Sequence, residues 1–208
     1  MEKLQKGLLI TAEGIDGSGK SVLCKGLEQE LSQSYEVLLT KEPGDTPLGK
    51  GLRTTLLQKD VPVCDKAEFL LFATDRAQHF CQVVLPALSK NKIVISDRMA
   101  DSSLVYQGYG RNLDLEMLTT INEWAMNNRQ PDLVFYLKID AQKAYQRMAE
   151  RNVPLNSFEK EVAFMHKLSE GFDTLVAPRK NVITLDALQS PETLVNQAVA
   201  ALKNVIET

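Results

Sequence analysis

The sequence predicts an α/β fold in which a mostly parallel, five-stranded sheet carries helices on both faces. Strand-like and helix-like segments alternate along the chain, the strand-like runs are nearly continuously apolar, and a glycine-rich loop joins the first run to a helical pattern. Nearly continuous apolar runs are typical of strands buried on both faces, as in parallel sheets. We expect the strand–helix–strand crossovers of this sheet to be right-handed.

Five short segments rich in valine, isoleucine, leucine or tyrosine are the predicted strands. They are residues 8–13, 37–40, 93–96, 133–139 and 182–185. Each is followed by polar or glycine-containing sequence, so each predicted strand ends at a loop.

Helical patterns lie between and after these strands. Apolar residues recur at spacings of three and four over residues 66–88, which predicts one long amphipathic helix. Residues 113–126 and 141–151 have similar patterns. Ser190 and Pro191 form an N-cap and first-turn pair that opens a last helix, which ends at about Ile206. Residues 152–161 interrupt the order with polar residues and a proline, and we interpret them as a lid-like loop.

Composition and charge exclude several classes of protein. The formal net charge is −3 and 44% of the 208 residues are hydrophobic, so long disorder is excluded. The mild acidity argues against nucleic acid and against an anionic membrane as partners. No apolar stretch approaches the roughly 20 residues of a spanning helix, and the polar start of the chain is unlike an export signal. The three cysteines form no close pair, which favours free thiols in a reducing cytoplasm.

A glycine-rich loop follows the first predicted strand at residues 14–21. Its sequence fits G-x-x-x-x-G-K-[ST] and is followed by a helical pattern. Glycines let successive backbone N–H groups turn toward phosphate oxygens, and the next helix adds the positive end of its dipole. The residues predicted to bind ATP are therefore Gly14, Ile15, Asp16, Gly17, Ser18, Gly19, Lys20 and Ser21.

The motif indicates a nucleoside triphosphate but no particular reaction. Lys20 is expected to reach the β- and γ-phosphates, and the Ser21 hydroxyl to ligate Mg²⁺. A GTPase would need Asn-Lys-x-Asp, whereas Asn91 and Lys92 are followed by isoleucine and valine. Because the chain is also short for a motor or a large ATPase, a small-molecule kinase is the main interpretation.

Polar residues on two further segments could serve the acceptor. Asp97 and Arg98 follow the third strand, where ligands of open α/β sheets bind. They could hold Mg²⁺ and a phosphate, or form a simple surface ion pair. Phe72 and Arg76 share a helix face, so they could hold a base and a monophosphate, although spacing alone favours a core ring and a solvated charge. Residues 102–111 are polar, aromatic and glycine-containing, which by itself is typical of a surface loop.

Taken together, these pieces resemble the thymidylate kinase family. The resemblance is carried by residues 13–21, 41–44, 71–76, 97–98 and 102–108, which read EGIDGSGKS, KEPG, LFATDR, DR and SSLVYQG. It implies a P-loop NTPase-type fold in a single kinase domain over residues 1–208, with a short lid at about 152–161. It also implies Mg²⁺-dependent transfer of the γ-phosphoryl group of ATP to dTMP, by a cytoplasmic homodimer.

The resemblance implies roles around the base. Phe72 would stack on thymine and Arg76 would hydrogen-bond the base edge. Arg53 would border the base pocket, and Ser103 and Gln107 would read the base.

The resemblance also implies roles around the phosphates. Arg98 would hold the acceptor phosphate, and Asp16 would contact the deoxyribose 3′-hydroxyl. Lys20 and Asp97 would serve ATP and Mg²⁺ in catalysis, and residues 41–42 belong to a loop that approaches both phosphates.

The sequence departs from the family pattern at two single residues. Met99 follows Asp97 and Arg98, where the family usually has an aromatic residue or one of a small set of other residues. Phe172 stands where a tyrosine is common, so a hydroxyl contact to the substrate is expected to be missing.

A third departure concerns a catalytic arginine. The family carries it in the P-loop or in the lid, yet the P-loop position is Gly17 and the lid segment 156–159 reads Asn-Ser-Phe-Glu. In related P-loop enzymes such an arginine is worth about 10³ to 10⁵ in rate. We predict that Arg151, just before the lid, supplies it; Arg147 and Lys160 are the alternatives, and a slow enzyme is another.

Three further residues receive structural interpretations. Glu13 ends the first strand, where a buried carboxylate needs partners and would orient its neighbours. His79 and His166 have no metal-like neighbours and are taken as structural or exposed.

The functional alternatives to a dTMP kinase are a P-loop kinase for another nucleotide or nucleoside, and a nucleotide-binding module with weak catalysis.

Overall fold

Five parallel strands form a single sheet at the centre of the described chain. The computed structural model describes residues 4–57, 62–150 and 162–206. The strands are β1 (Leu8–Glu13), β2 (Val37–Lys41), β3 (Ile93–Asp97), β4 (Leu133–Lys138) and β5 (Val182–Asp186). They lie in the order β2-β3-β1-β4-β5. The predicted parallel five-stranded sheet is therefore confirmed, with strand ends within one residue of the prediction.

The strand order explains where a ligand site can form. Ile10 of β1 pairs with Ile95 of β3 and with Leu133 of β4, so β1 is the central strand. The chain builds β2 and β3 on one side of β1 and then crosses to build β4 and β5 on the other. The carboxyl end of β1 is therefore a topological switch point, where open α/β sheets bind their ligands.

Helices fill both faces of this sheet. The α-helices are α1 (Lys20–Leu31), α2 (Pro47–Leu57), α3 (Asp65–His79), α4 (Leu85–Leu88), α5 (Ala100–Ser103), α6 (Leu115–Ala125), α7 (Ala141–Ala149), α8 (Val162–Val176) and α9 (Pro191–Ile206). Two π-helical segments, Phe80–Val84 and Leu104–Gly110, continue α3 and α5 directly. Among the described residues, no helix has both the length and the apolar character needed to cross a membrane.

Alternate residues of the central strands enter cores on opposite faces of the sheet. Ile10 of β1 and Ile95 of β3 pack in the larger core with α1, α8 and α9. Leu9 and Val94, each one residue earlier in sequence, pack instead with Phe80 and its neighbours on the other face. This alternation is the period of a strand, and it accounts for the nearly continuous apolar runs of β1 and β3. The edge strands β2 and β5 are only partly buried.

The predicted long helix is continuous but contains a π-helical segment. Helix α3, residues Phe80–Val84 and α4 together span the predicted range of 66–88. The Leu85 N–H donates to the Phe80 carbonyl, five residues back, which is the hydrogen-bond spacing of a π-helix. Phe72 and Arg76 of α3 line the pocket described below.

The interpretation of residues 102–111 as a surface loop is wrong. These residues continue α5 into the π-helical segment Leu104–Gly110, and Tyr106 and Gln107 within it are buried. A Cβ on Gly108 would lie 2.4 Å from the Leu115 side chain, so this glycine permits close packing against α6 rather than marking a turn. The predicted lid, at about residues 152–161, lies outside the described residues.

Candidate active site

The glycine-rich loop lies between the carboxyl end of β1 and the first turn of α1. Gly17 has a φ of 84°, and a Cβ there would lie 2.5 Å from the Ala144 carbonyl oxygen of α7. Glycine is needed here both for the backbone conformation and for the close approach of α7. The loop therefore delivers the N-terminus of α1, with its first backbone N–H groups and positive dipole end, to the switch point.

Lys20 lies almost fully buried under this loop. Its Nζ donates to the Ile15 carbonyl oxygen at 2.9 Å. Burial lowers the pKa of Lys20 to about 8, and the positive charge of Arg98 adds to this effect, whereas nearby carboxylates such as Asp16 oppose it. Within the described parts of the chain, no carboxylate bonds Nζ of Lys20 directly, so its charge is available to an incoming phosphate.

Ser21 and Asp97 meet beside the loop and form a plausible Mg²⁺ site. The Ser21 hydroxyl donates to Oδ2 of Asp97, which ends β3. Magnesium is usually held by one or two carboxylates together with waters and substrate phosphates rather than by a cage of protein ligands. A hydroxyl and a carboxylate next to a phosphate loop fit that donor set.

Arg98 and Asp16 form a charged pair at the entrance to a pocket. Nη2 of Arg98 donates to Oδ1 of Asp16 at 2.6 Å, and Tyr106 donates its hydroxyl to Oδ2 of Asp16 at 3.0 Å. Burial alone would raise the pKa of Asp16, but the charges of Arg98 and Lys20 outweigh burial and lower it to about 2. Asp16 is therefore ionised at every physiological pH.

Glu13 fixes the turn that carries Arg98. Its carboxylate accepts the Met99 N–H at 2.7 Å and the Ser102 hydroxyl at 2.6 Å. The same Ser102 Oγ accepts a hydrogen bond from Nη1 of Arg98 at 2.9 Å. Burial and the nearby charge of Asp101 raise the pKa of Glu13 to about 7. These contacts agree with the interpretation that Glu13 orients its neighbours.

An open pocket extends from Asp16 and Arg98 to α3. Every residue predicted to bind the acceptor contributes to its wall. The lining residues are Asp16, Glu42, Pro43, Arg53, Leu57, Phe72, Arg76, Arg98, Met99, Ser102, Ser103, Tyr106 and Gln107. The pocket thus combines charged groups at one end with an aromatic ring and amide, hydroxyl and guanidinium groups at the other.

Arg76 is a buried wall residue and not a solvated charge. Its Nε lies 2.9 Å from Oε2 of Glu42 in an ion pair. It donates through Nη1 to Asn122 at 2.6 Å and through Nη2 to Ser103 at 3.1 Å. Burial alone would raise the pKa of Glu42, but Arg76 and His79 lower it. His79 is fully buried between Glu42 and Thr40, which confirms a structural histidine.

The remaining sequence-predicted residues lie elsewhere. Nη1 of Arg147 donates to the Ala187 carbonyl oxygen at 2.9 Å, after β5, and Arg147 does not line the pocket. Arg151 and Lys160 lie outside the described residues. Phe172 is fully buried against the Tyr136 ring, with centroids 5.5 Å apart, so it is a core residue rather than a pocket residue lacking a hydroxyl.

Sequence reasoning missed several residues that support the site. Ser102 and Tyr106 bond Arg98, Asn122 bonds Arg76, and Glu68 bonds Gln107. The spacing of four between Ser102 and Tyr106 is a helical signal that the surrounding glycines obscured. Neither Asn122 nor Glu68 carries a local signal, because each acts on a residue from a distant segment.

Comparison with known proteins agrees with this geometry. A family model described as thymidylate kinase matches residues 12–198. A thymidylate kinase of Halothermothrix orenii is 44% identical over 192 residues, covering 90% of this chain and 92% of that protein. One of Nitratidesulfovibrio vulgaris is 42% identical over 204 residues, covering 92% and 90%.

A solved structure gives the same result at the level of the fold. The thymidylate kinase of Ehrlichia chaffeensis superposes with a TM-score of 0.77 at 28% identity, covering 95% of this chain and 99% of that one. The family match spans the phosphate loop, Asp97, Arg98 and every residue that lines the pocket. The chain therefore belongs to the thymidylate kinase family.

Proposed function

We propose that this protein transfers the γ-phosphoryl group of ATP to dTMP, giving dTDP and ADP. One observation carries the proposal: a single pocket is lined by Asp16 of the phosphate loop and by Arg98, and its wall is built from Phe72, Arg76 and Gln107. A phosphate bound near Arg98 and a pyrimidine bound near Phe72 would fit one nucleoside monophosphate. The family membership supports dTMP as that nucleotide.

The donor phosphates would lie on the loop of residues 14–21. Backbone N–H groups, the α1 N-terminus and Lys20 would hold the β- and γ-phosphates. Ser21 and Asp97 would hold Mg²⁺, which when bound neutralises negative charge on the phosphate oxygens. Lys20 would recover its full charge as ATP binds, because an adjacent anion raises the pKa of a lysine.

The acceptor would occupy the pocket. Arg98 would hold its phosphate, and Asp16 would accept the deoxyribose 3′-hydroxyl proton in a hydrogen bond. Phe72 would stack on the base. Arg53 would border the base pocket. The hydrogen-bond donors and acceptors on the edge of the base would be read by Arg76, Ser103 and Gln107.

The chemistry in this arrangement depends on positioning and charge. The acceptor phosphate is an anion near pH 7, so no strong general base is needed to activate it. Arg98 and Lys20 would bring two positive charges to the two phosphates, which would otherwise repel each other. Preorganised charges of this kind cost no reorganisation during transfer.

The additional catalytic arginine is proposed to be Arg151. Arg147 is the less suitable candidate, because its guanidinium is engaged with the Ala187 carbonyl oxygen. Lys160 remains the weaker substitute, since a lysine lacks the planar fork of an arginine. The single-domain organisation with a lid at about residues 152–161 is part of the same proposal.

The protein is also proposed to act as a cytoplasmic homodimer. Helix α6 exposes 58% of Met117 and 78% of Trp124, which lie seven residues apart and so share a face. On the adjacent α3, 52% of Leu70 is exposed. Exposed apolar side chains grouped on packed helices are typical of an interaction surface.

Acceptor profiling tests the proposed activity. ADP release is measured with ATP·Mg²⁺ and each of dTMP, dUMP, dCMP, dGMP, AMP, thymidine or no acceptor. We expect dTMP to give a rate on the order of 1 s⁻¹ or more, clearly above the others. Preference for another acceptor would identify a different P-loop kinase. Tight dTMP binding with background turnover would identify a nucleotide-binding module.

A further inference from the structure

The Gln107 side chain lines the pocket and is held by a residue that lies outside the pocket lining. Its Nε2 donates to Oε1 of Glu68 at 2.9 Å. Gln107 is only 1% exposed and Glu68 only 9% exposed, and Glu68 is not among the residues that line the pocket. The amide nitrogen is therefore bound to a group in the second layer of the wall.

When ionised, Glu68 can only accept hydrogen bonds, and two features of its surroundings oppose the effect of burial, which raises its pKa. It lies in the first turn of α3, where the helix dipole stabilises negative charge. Nη2 of Arg111 lies 3.8 Å from its Oε2. Burial raises the pKa of Glu68, while the hydrogen bond from Gln107 and the charge of Arg111 oppose that rise.

A carboxylate acceptor determines which way the Gln107 amide points. If the amide were reversed, its oxygen would face the Glu68 oxygen and the hydrogen bond would be lost. With Nε2 committed to Glu68, the carbonyl oxygen Oε1 remains available to a ligand. Within residues 4–57, 62–150 and 162–206, this oxygen has no hydrogen-bond partner.

The neighbouring groups on the same wall present donors instead. Nη2 of Arg76 donates to Ser103 Oγ at 3.1 Å, which leaves the Ser103 hydroxyl proton free to donate elsewhere. Arg76 itself is fixed by Glu42 and Asn122. The wall therefore carries donors at Arg76 and Ser103 and an acceptor at Gln107.

We infer that Glu68 is a positioning residue that holds the Gln107 amide with its oxygen toward the base, and so selects pyrimidines with a 4-oxo group and an N3–H. This inference rests on the proposed function. Thymine offers an acceptor at O4 and a donor at N3, which matches the wall. Cytosine offers a 4-amino donor and an acceptor at N3, so its edge has the opposite polarity. Sites built on buried hydrogen-bonding groups reject such mismatches strongly, because the groups are left unpaired.

The test compares dTMP with dCMP in the wild type and in Glu68→Gln. A glutamine at position 68 can donate as well as accept, so the Gln107 amide is no longer held in one orientation. We expect kcat/KM for dTMP to fall about tenfold, mainly through KM, and the dTMP-to-dCMP preference to narrow at least about tenfold. The KM for ATP should not change. Where dCMP turnover is too slow, its inhibition constant against dTMP replaces kcat/KM.

Two further variants separate amide orientation from general effects of lost charge. Asp65→Asn removes the other acidic partner of Arg111, at 3.6 Å, without touching Gln107, and should keep the wild-type preference. The exchange Glu68→Gln with Gln107→Glu lets the new glutamine donate to the new carboxylate, whose second oxygen then faces the base. We expect this double variant to recover most of the preference for dTMP.

A wild-type preference in Glu68→Gln would overturn the inference, as would an equal loss in Asp65→Asn. An exchange variant whose preference for dTMP is no stronger than that of Glu68→Gln would also overturn the inference. Thermal melting of each variant serves as the control, because it shows whether the protein is folded at the assay temperature. These results are distinct from failure of the proposed function, which would appear in the wild type as no preference for dTMP over the other acceptors.

Discussion

Arg98 adopts a left-handed backbone conformation, with a φ of 72°, in the turn that follows β3. For a residue with a side chain this costs on the order of 1–3 kcal/mol. The turn is held by the Arg98 N–H, which bonds the Ala12 carbonyl oxygen at 3.0 Å, and by Glu13, which accepts the Met99 N–H. The strained turn directs the Arg98 guanidinium back toward Asp16, so the left-handed conformation positions a charged group of the site.

Replacing Lys20 tests the donor side of the site at a single residue. We expect Lys20→Ala to lower kcat about 10²- to 10³-fold, because a buried positive charge at the transferred phosphate is lost. Lys25→Ala, at an exposed lysine of the same helix, is the matched control and should keep wild-type kcat. Coupled ADP-release kinetics and circular dichroism measure activity and fold. Unchanged turnover in Lys20→Ala would contradict the assigned role of the loop.

Glu13 predicts a specific pH dependence of stability. Its pKa is raised from 4.5 to about 7 in the folded protein, so between these values the folded state binds the proton more tightly than the unfolded state. The stability that this group contributes is complete below about pH 4.5 and is lost as pH rises to about 7. The expected loss is on the order of 3 kcal/mol.

Denaturant unfolding from pH 4.5 to 8 checks this dependence. The free energy of unfolding of the wild type should fall with pH relative to Glu13→Gln, whose side chain does not ionise. Glu30→Gln, at an exposed glutamate, should follow the wild type. Parallel pH profiles for the wild type and Glu13→Gln would show that the carboxyl has an ordinary pKa.

Helices α1 and α9 pack closely at Gly26 of α1, where a side chain would overlap α9. A Cβ on Gly26 would lie 2.4 Å from Cγ2 of Val195. Alanine is favoured over glycine in a helix by about 1 kcal/mol, whereas overpacking a core costs about 1–3 kcal/mol. We therefore expect Gly26→Ala to destabilise the protein by about 1 kcal/mol.

A double-mutant cycle with Val195→Ala measures this contact by chemical denaturation. The double variant should be more stable than the sum of the two single changes by about 1–2 kcal/mol. Gly51→Ala is the control, since no atom lies within 4 Å of a Cβ built there, and it should be slightly stabilising. A Gly26→Ala protein more stable than the wild type would rule out the close packing.

The elements differ in how far their sequence predicts them. The strands were predictable because burial on the sheet imposes an apolar pattern on β1 and β3. The long helix was predictable because packing against α6 imposes an apolar pattern on the Phe69 face of α3. The segment 104–110 was not, because Gly108 and Gly110 are typical of turns. Here they allow contact with Leu115 and with Phe164, which are supplied by other helices. Their role is tertiary, and no local pattern contains it.

The site shows the same division between local and distant information. The phosphate loop is one contiguous motif, so its residues could be predicted from the physics of phosphate binding. The wall of the pocket depends on pairs far apart in sequence, such as Glu42 with Arg76 and Glu68 with Gln107. The spacing of residues alone favoured a solvated Arg76, and only the family resemblance reversed that interpretation.

At the scale of the whole molecule, the face formed by α3 and α6 predicts the oligomeric state. The two helices pack through Phe69, Ala73 and Leu118, which leaves Leu70, Met117 and Trp124 on the outside. We expect the wild type to have twice the 23.2 kDa mass of the chain in light scattering, and Trp124→Glu to be monomeric.

Leu188→Glu is the control for this prediction. Leu188 is also exposed, at 45%, but follows β5 rather than belonging to α3 or α6. The Leu188→Glu substitution should therefore leave the dimer intact. A monomeric wild type at micromolar concentration, or a dimeric Trp124→Glu, would show that this face is not the interface.

The proposed function requires one pocket to bring the phosphate loop and a dTMP site together for direct transfer. This transfer is tested by following the label of γ-³²P-ATP in the presence of Mg²⁺ and dTMP and identifying the labelled product. We predict that the label appears in dTDP, at a rate on the order of 1 s⁻¹ or more. Label found only as inorganic phosphate, or remaining in ATP, would contradict direct transfer to dTMP.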